Sequence, residues 1–81
     1  MKVTIKVRLK SGILDPQGKT VNNALHHLGL TSVQNVRIGK LIEFNMEEID
    51  REKAVQNIEE ACRKLLANPV IEDYSYEIEE G

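Results

Sequence analysis

Cysteine, aromatic residues and long apolar segments are scarce in this 81-residue chain. The single cysteine, Cys62, has no partner within the chain, which excludes an internal disulfide framework and fits a reducing compartment. No apolar run approaches the roughly 20 residues of a membrane-spanning helix, and the first ten residues lack the continuous apolar region of a signal peptide. We therefore expect the protein in the cytoplasm.

Charge and size limit what such a chain does alone. The formal net charge of −2 gives no general attraction to nucleic acid or to anionic lipid. Hydrophobic residues make up 41% and charged residues 30%, an ordinary globular balance for one domain spanning residues 1–81. A core this small barely offsets an ordering cost on the order of 1.5 kcal/mol per residue. Because self-association adds buried surface, we expect an oligomer.

The first half of the chain predicts a strand followed by a helix. Residues 2–10 alternate apolar with basic or polar side chains, which indicates a strand with one packed face. Asp15 followed by Pro16 predicts a helix N-terminus, and Gly29 predicts its left-handed end. The apolar stripe of this helix consists of Val21, Ala24, Leu25 and Leu28.

The second half predicts a hairpin, a helix and a last strand. Residues 33–46 alternate on both sides of Gly39, so we expect a β-hairpin, with a bulge inside one long strand as the alternative. Asp50 caps a second helix that Pro69 ends, and alternation returns in residues 74–78. The order β-α-β-β-α-β is typical of a ferredoxin-like α+β fold, a four-stranded antiparallel sheet with two helices on one face.

A phosphate-binding loop is the most tempting catalytic motif. The segment from Gly12 to Thr20 lies between the first strand and the first helix, as such a loop requires. However, five residues separate Gly12 from Gly18 where the motif needs four, and Pro16 removes one backbone N–H donor. The alternative interpretation, a helix that begins with a proline, needs no ligand.

Other reactive groups are also poorly placed. His26 and His27 are adjacent, so their side chains point about 100° apart on a helix, whereas helical zinc ligands are spaced i, i+4. Cys62 lies beside an apolar stripe without a neighbouring base, which favours a small buried residue over a nucleophile. The carboxylates occur in runs typical of solvated faces. We therefore assign no catalytic, cofactor-binding or metal-ligating residue.

The first strand has a basic face, made of Lys2, Lys6, Arg8 and Lys10. An RNA-binding sheet would carry aromatic side chains there to stack bases, and this strand has none. Two interpretations stay open. The row is either a charged strand surface that resists aggregation or an interface with an acidic partner.

The most specific signal comes from three segments: residues 14–18 (LDPQG), residues 36–40 (VRIGK) leading into Glu43, and residues 62–74 (CRKLLANPVIEDY). Together they resemble the PurS subunit of phosphoribosylformylglycinamidine synthase, and the resemblance spans nearly the whole chain. It implies a part in the fourth step of de novo purine synthesis. That step converts formylglycinamide ribonucleotide, glutamine and ATP to formylglycinamidine ribonucleotide, glutamate, ADP and phosphate.

The resemblance also implies a division of labour among subunits. A large synthetase subunit, PurL, would bind ATP and the ribonucleotide, with magnesium, and a glutaminase subunit, PurQ, would release ammonia with a cysteine nucleophile. This chain would be the small non-catalytic part, a dimer or tetramer without its own cofactor. Asp15, Gln17, Arg37 and Lys40 are the candidate partner contacts, because each is polar, ends an element and falls in a family-like segment. The alternative for Asp15 is a helix N-cap, and for Arg37 an exposed strand residue.

Two other functions remain open from the sequence. A regulatory module of ferredoxin-like fold would bind a metabolite at a dimer interface and need no synthetase. A nucleic-acid-binding domain would use the basic strand, although the negative net charge and the lack of stacking aromatics argue against it.

Overall fold

The structure, a computed structural model, describes residues 1–47 and 50–80. Its elements follow one another in the order β1 (Lys2–Leu9), α1 (Pro16–His27), β2 (Gly39–Asn45), α2 (Arg51–Ala61), a π-helical turn (Cys62–Leu66) that directly continues α2, and β3 (Glu72–Glu79). The strands of these residues form an antiparallel sheet in the order β2-β1-β3. No helix in this part of the chain is long and apolar enough to cross a membrane.

The sheet has three strands, so the predicted four-stranded sheet is wrong and the element order is β-α-β-α-β. The missing strand is the first half of the expected hairpin, residues 33–38, which joins no ladder. The N–H of Ile38 donates instead to the side chain of Asp15 at 2.8 Å. Asn35 has a φ of 57°, in the left-handed region, which interrupts an extended course.

The local signals at the helix ends are confirmed. Asp15 caps α1 with Pro16 at its first position, and Gly29 follows the helix with a φ of 95°. The side chain of Asp50 accepts from the N–H of Glu52 at 3.0 Å and caps α2. These features depend on neighbouring residues alone, which is why the sequence predicts them well.

The core lies between the inner face of the sheet and α2. Alternate residues of β1 point inward, and the register places Ile5 opposite Ile42 of β2 and Tyr76 of β3. The fully or almost fully buried apolar side chains are Val3, Ile5, Val7, Ala54, Ile58, Cys62 and Ala67. Cys62 is therefore the buried residue that its position predicts, and burial raises the pKa of its thiol.

Helix α1 does not share this core, so the prediction of two helices on one face is also wrong. Gly18 is its only buried residue, and none of its side chains joins the core cluster. The molecule measures 49 × 28 × 14 Å. Its radius of gyration is 16.2 Å, against about 12 Å for a compact chain of this length. The long axis is close to the summed lengths of β1 (about 26 Å) and α1 (about 18 Å), as expected when a helix extends away from a sheet and does not pack on its face.

The outer face of the sheet is charged on all three strands. The register places Lys2 opposite Glu79 and Arg8 opposite Asp73, and the Nζ of Lys2 lies 3.4 Å from a carboxylate oxygen of Glu43. The basic row of β1 is thus flanked by carboxylates of its own neighbours. This arrangement favours a charge-balanced strand surface over a free cationic interface.

Candidate partner-binding surface

Asp15 fixes the beginning of α1 to the beginning of β2. Its Oδ1 accepts from the N–H of Gly18, and its Oδ2 accepts from the N–H of Ile38, both at 2.8 Å. The side chain is only 6% exposed. Hydrogen bonds from the backbone of Ile38 and then of Gly18 hold the pKa of the Asp15 carboxyl below its ordinary value. The N-cap was predicted, whereas the second bond, to a residue 23 positions away, was not.

Arg37 also links the beginning of α1 to the segment before β2, from the solvent side. We call this contact between the two segments the junction. The guanidinium of Arg37 donates to the carbonyl oxygens of Lys10 and Ile13, both at 3.1 Å, so it holds the loop after β1 against the segment that enters β2. The positive charge also contributes to the lowered pKa of Asp15. The side chain is exposed, so these contacts leave part of the guanidinium accessible to another molecule.

Gln17 and Lys40 are exposed at the rim of a depression beside this junction. The depression has a volume of about 360 Å³, and Asp15 also lines it. Its floor is largely apolar, with Val7 and Ile38 among the lining residues. The Nζ of Lys40 lies 3.8 Å from a carboxylate oxygen of Glu72, a long ion pair in which the lysine side chain is 60% exposed and the glutamate side chain only 15%, so the ammonium stays available.

The structure therefore brings the four candidate residues together at one end of the sheet. Asp15 and Arg37 make hydrogen bonds that hold the junction together, and the side chains of Gln17 and Lys40 are exposed to solvent. Their role as partner contacts remains a prediction. What the structure adds is that all four lie close together at this end of the sheet, although 20 or more positions separate the two pairs in sequence.

A polar cluster on the inner face was missed by the sequence analysis, which took Glu59 for part of a solvated run. The Glu59 carboxylate is half-buried and accepts from the hydroxyls of Tyr74 at 2.5 Å and Tyr76 at 2.8 Å. The hydrogen bond to Glu59 raises the pKa of Tyr74 to about 12, and both bonds lower that of Glu59. The sequence did contain a signal for this cluster, because it places two tyrosines on the inward face of one strand. Partly buried tyrosine hydroxyls need hydrogen-bond partners, so a nearby acceptor could have been expected.

The two histidines lie apart from these clusters. The Nε2 of His26 is 2.8 Å from the carbonyl oxygen of Val33, and His27 is exposed. Within residues 1–47 and 50–80, no three His, Cys, Asp or Glu side chains are grouped so that they could hold a metal ion. The N–H of Gly18, the second glycine of the phosphate-loop motif, is already bonded to Asp15.

Comparison with protein families gives a match over nearly the whole chain. The family model described as "PurS: Phosphoribosylformylglycinamidine (FGAM) synthase" matches residues 2–80. The phosphoribosylformylglycinamidine synthase subunit PurS of Bacillus subtilis (strain 168) is 53% identical over 79 residues, which cover 98% of this chain and 93% of that protein. The protein of the same name from Methanocaldococcus jannaschii is 45% identical over 78 residues, covering 96% and 94%.

Solved structures agree with these relatives. The C2 crystal form of B. subtilis PurS has a TM-score of 0.87 to this chain at 53% identity, with 98% of each chain covered. A chain in the structure of PurLQS from Thermotoga maritima has a TM-score of 0.85 at 36% identity, covering 94% of this chain and 93% of its own. A closely similar backbone therefore occurs both in a PurS structure and in the structure of PurLQS.

Proposed function

The chain belongs to the PurS family, and on that premise we propose that it is the non-catalytic small subunit of a phosphoribosylformylglycinamidine synthase. In this role it bridges a synthetase subunit, PurL, and a glutaminase subunit, PurQ, in de novo purine biosynthesis in the cytoplasm. The observation that carries the proposal is the close match over 94% of the chain to a component of PurLQS from Thermotoga maritima. No feature of the described residues favours a metabolite-sensing module instead.

The only thiol of the chain supports a non-catalytic role. A glutaminase needs an exposed cysteine with a lowered pKa, because the thiolate is the nucleophile. Cys62 is buried, and burial raises the pKa of its thiol, so its environment acts in the opposite direction. We accordingly place glutamine cleavage in PurQ, and ATP with its magnesium ion in PurL.

The physical value of a bridging subunit lies in the transfer of ammonia. Ammonia released by the glutaminase must reach the synthetase site without being protonated or lost to solvent, so the two sites need a fixed relative position. In our proposal the surface around Asp15 makes one of the contacts that fix it. Asp15 and Arg37 hold the junction rigid, and Gln17, Lys40 and the accessible part of the Arg37 guanidinium touch the partner.

Omission of this chain is the first test of the proposal. The synthetase and glutaminase are mixed with formylglycinamide ribonucleotide, ATP and glutamine, and the amidine product is measured with and without the chain. We expect glutamine-dependent synthesis to fall by about tenfold or more on omission, because delivery of ammonia depends on alignment. Synthesis from added ammonium salt is the control and should not change. Glutamine-dependent activity that is independent of the chain would contradict the proposal.

Charge reversal tests the contact residues. Arg37→Glu and Lys40→Glu are expected to reduce co-elution with the synthetase and glutaminase in size-exclusion chromatography, because each places a carboxylate in the proposed contact. Lys53→Glu, at an exposed position in the first turn of α2, is the matched control and should co-elute like the unmodified chain. If both test variants are folded by circular dichroism and assemble normally, these residues are not contacts.

A further inference from the structure

A second depression lies on the outer side of the sheet, at the end where β1 finishes and β3 begins. Its volume is about 350 Å³, and it is lined by Arg8, Leu9, Ser11, Arg37 and Asp73. Only Leu9 also lines the 360 Å³ depression beside the junction, so the two depressions are separate. We name this second depression the arginine pocket.

The side chain of Arg8 is positioned by the sheet and makes no polar contact of its own. In the register Arg8 lies opposite Gly39 of β2. A Cβ at Gly39 would lie 3.1 Å from Cγ of Arg8, so the lack of a side chain there leaves room for the arginine stem. Asp73 lies opposite Arg8 on β3, yet within residues 1–47 and 50–80 the Arg8 guanidinium takes part in no ion pair. All five N–H donors of this guanidinium are therefore open to another molecule.

Arg37 is held in one orientation by the loop after β1. Its two terminal nitrogens donate to the carbonyl oxygens of Ile13 and Lys10, both at 3.1 Å. The N–H of Lys10 donates in turn to the carbonyl oxygen of Ile71 at 2.9 Å, which fixes this loop to the chain before β3. Two of the five N–H donors of Arg37 are used and three remain. Because the guanidinium is already ordered, binding through it costs less conformational entropy.

The outer face of the sheet is charge-balanced along its strands but not at this end. Lys2, at the other end of β1, lies 3.4 Å from a carboxylate oxygen of Glu43. In the arginine pocket two guanidinium groups accompany a single carboxylate, that of Asp73, because Arg37 adds a positive charge from outside the strands. Two arginines with eight open donors form a site for a planar anion, since guanidinium groups bind carboxylates in a bidentate manner.

Asp73 limits which anion fits. With two arginines and one aspartate, the lining carries a net charge of +1. This charge suits a carboxylate, which carries a single negative charge. A phosphate group carries about −1.5 to −2 at pH 7, so Asp73 would repel it more strongly. The pocket therefore favours a carboxylate over a phosphate.

We propose that the arginine pocket receives the carboxylate of an aspartate or glutamate side chain from the synthetase or the glutaminase. Arg8 supplies the bidentate pair of donors, and Arg37 and the hydroxyl of Ser11 supply further ones. The proposal rests on the proposed function, since it gives the chemistry of the partner surface that Arg37 touches. It adds Arg8 and Ser11, which lie outside the four candidate contacts.

Titration of the chain into the amidation assay tests the pocket. The concentration of chain that gives half-maximal glutamine-dependent synthesis measures assembly with the two larger subunits. Arg8→Gln is expected to raise this concentration about tenfold or more, because it removes a charge-assisted bidentate contact. Lys6→Gln is the matched control, since it removes the same charge from the same face of β1, opposite Leu41 and Ser75. Lys6→Gln should change the concentration less than about twofold. Equal shifts for the two variants, or no shift for Arg8→Gln, would overturn the proposal.

Asp73→Asn is expected to shift the same concentration in the opposite direction, which a loss of folding cannot imitate. The substitution removes the carboxylate that repels the incoming one, so half-maximal synthesis should need about threefold less chain. The effect should shrink as salt is added, because exposed charges are screened. An unchanged or higher concentration for Asp73→Asn would reject a carboxylate as the ligand.

Inorganic phosphate distinguishes a partner side chain from a small anion. Titrated into the unmodified chain alone and followed by calorimetry, phosphate is expected to give no saturable heat. Saturation at millimolar phosphate would assign the pocket to a free anion and overturn docking of a partner. The amidation assay separates this proposal from the proposed function. If the unmodified chain activates synthesis and Arg8→Gln activates it at the same concentration, the pocket alone is rejected. If the unmodified chain does not activate synthesis, both are rejected.

Discussion

Replacement of Gly18 by alanine is expected to lower the free energy of unfolding by about 3 kcal/mol, the upper end of the cost of overpacking. An ideal Cβ at this position would collide with the carbonyl oxygen of Val36 and lie 2.9 Å from Oδ2 of Asp15. The first contact is with backbone, which cannot rotate away as a flexible side chain can. To admit a methyl group, the returning segment must separate from α1, and that movement also strains the Asp15 bond to Ile38.

The sign of this effect makes the experiment informative. Glycine to alanine inside a helix normally stabilises by about 1 kcal/mol, because glycine has the higher conformational entropy when unfolded. Urea unfolding at one fixed protein concentration should show the opposite for Gly18→Ala. Asn23→Ala, an exposed site in α1, is the control and should be neutral or slightly stabilising. Equal stability of Gly18→Ala and the unmodified chain would mean that the segment around Val36 does not pass so close to the helix.

Most of the individual elements could be predicted because their signals are local. The period-two pattern of β1 identifies its buried face, and Asp15, Pro16 and Gly29 mark the ends of α1 through capping and backbone geometry. The buried position of Cys62 follows from its place beside the stripe of α2. In each case the residues that determine the local structure lie close together in the sequence.

The prediction of a hairpin was wrong because alternation of apolar and polar residues does not reveal whether a neighbouring strand exists. Val36 and Ile38 alternate around Arg37 as strand residues do, yet the N–H of Ile38 is taken by Asp15, which lies far away in sequence. An extended segment becomes a strand only if another backbone completes its ladder. The position of α1 was misjudged for the same reason, since its amphipathic stripe shows that it needs a partner and does not say which.

The candidate surface shows a similar division between local and distant information. The sequence singled out Asp15 and Arg37 because they lie in family-like segments. The hydrogen bonds that Asp15 accepts from Ile38 and that Arg37 donates to Ile13 join distant parts of the chain, so they depend on the tertiary fold. The Glu59 cluster was missed because a carboxylate beside other acidic residues is typical of a solvated face. Only the packing of α2 on the sheet brings its carboxylate to the hydroxyls of Tyr74 and Tyr76.

Polar and apolar side chains have different roles along α1. Polar groups are used internally at the base of α1, where Asp15 and Arg37 fix the junction. Apolar side chains of α1 are exposed to solvent, with Val21 at 38% and Leu28 at 77%.

Asp15→Asn should separate the two functions of the Asp15 side chain. Asparagine still accepts from the N–H of Gly18 and caps α1 through Oδ1, but its Nδ2 is a donor and cannot accept from the N–H of Ile38. A partly buried donor would then face another donor at the junction. We expect Tm at pH 7 to fall on the order of 10 °C, measured at one protein concentration. Asp73→Asn, an exposed aspartate on β3, is the control and should keep Tm within about 2 °C.

The acid dependence of this difference gives a second, independent readout. Backbone donors hold the pKa of Asp15 below its ordinary value of 3.8 in the folded protein, so the folded state binds its proton less readily than the unfolded state. The stabilising contribution is therefore fully present above the ordinary pKa and is lost as the pH falls through the lowered one. The gap in Tm between the unmodified chain and Asp15→Asn should accordingly be constant from pH 7 to pH 5 and narrow as the pH falls below 3.8. A gap that widens in acid would show that Asp15 is not the ionised acceptor at the base of α1.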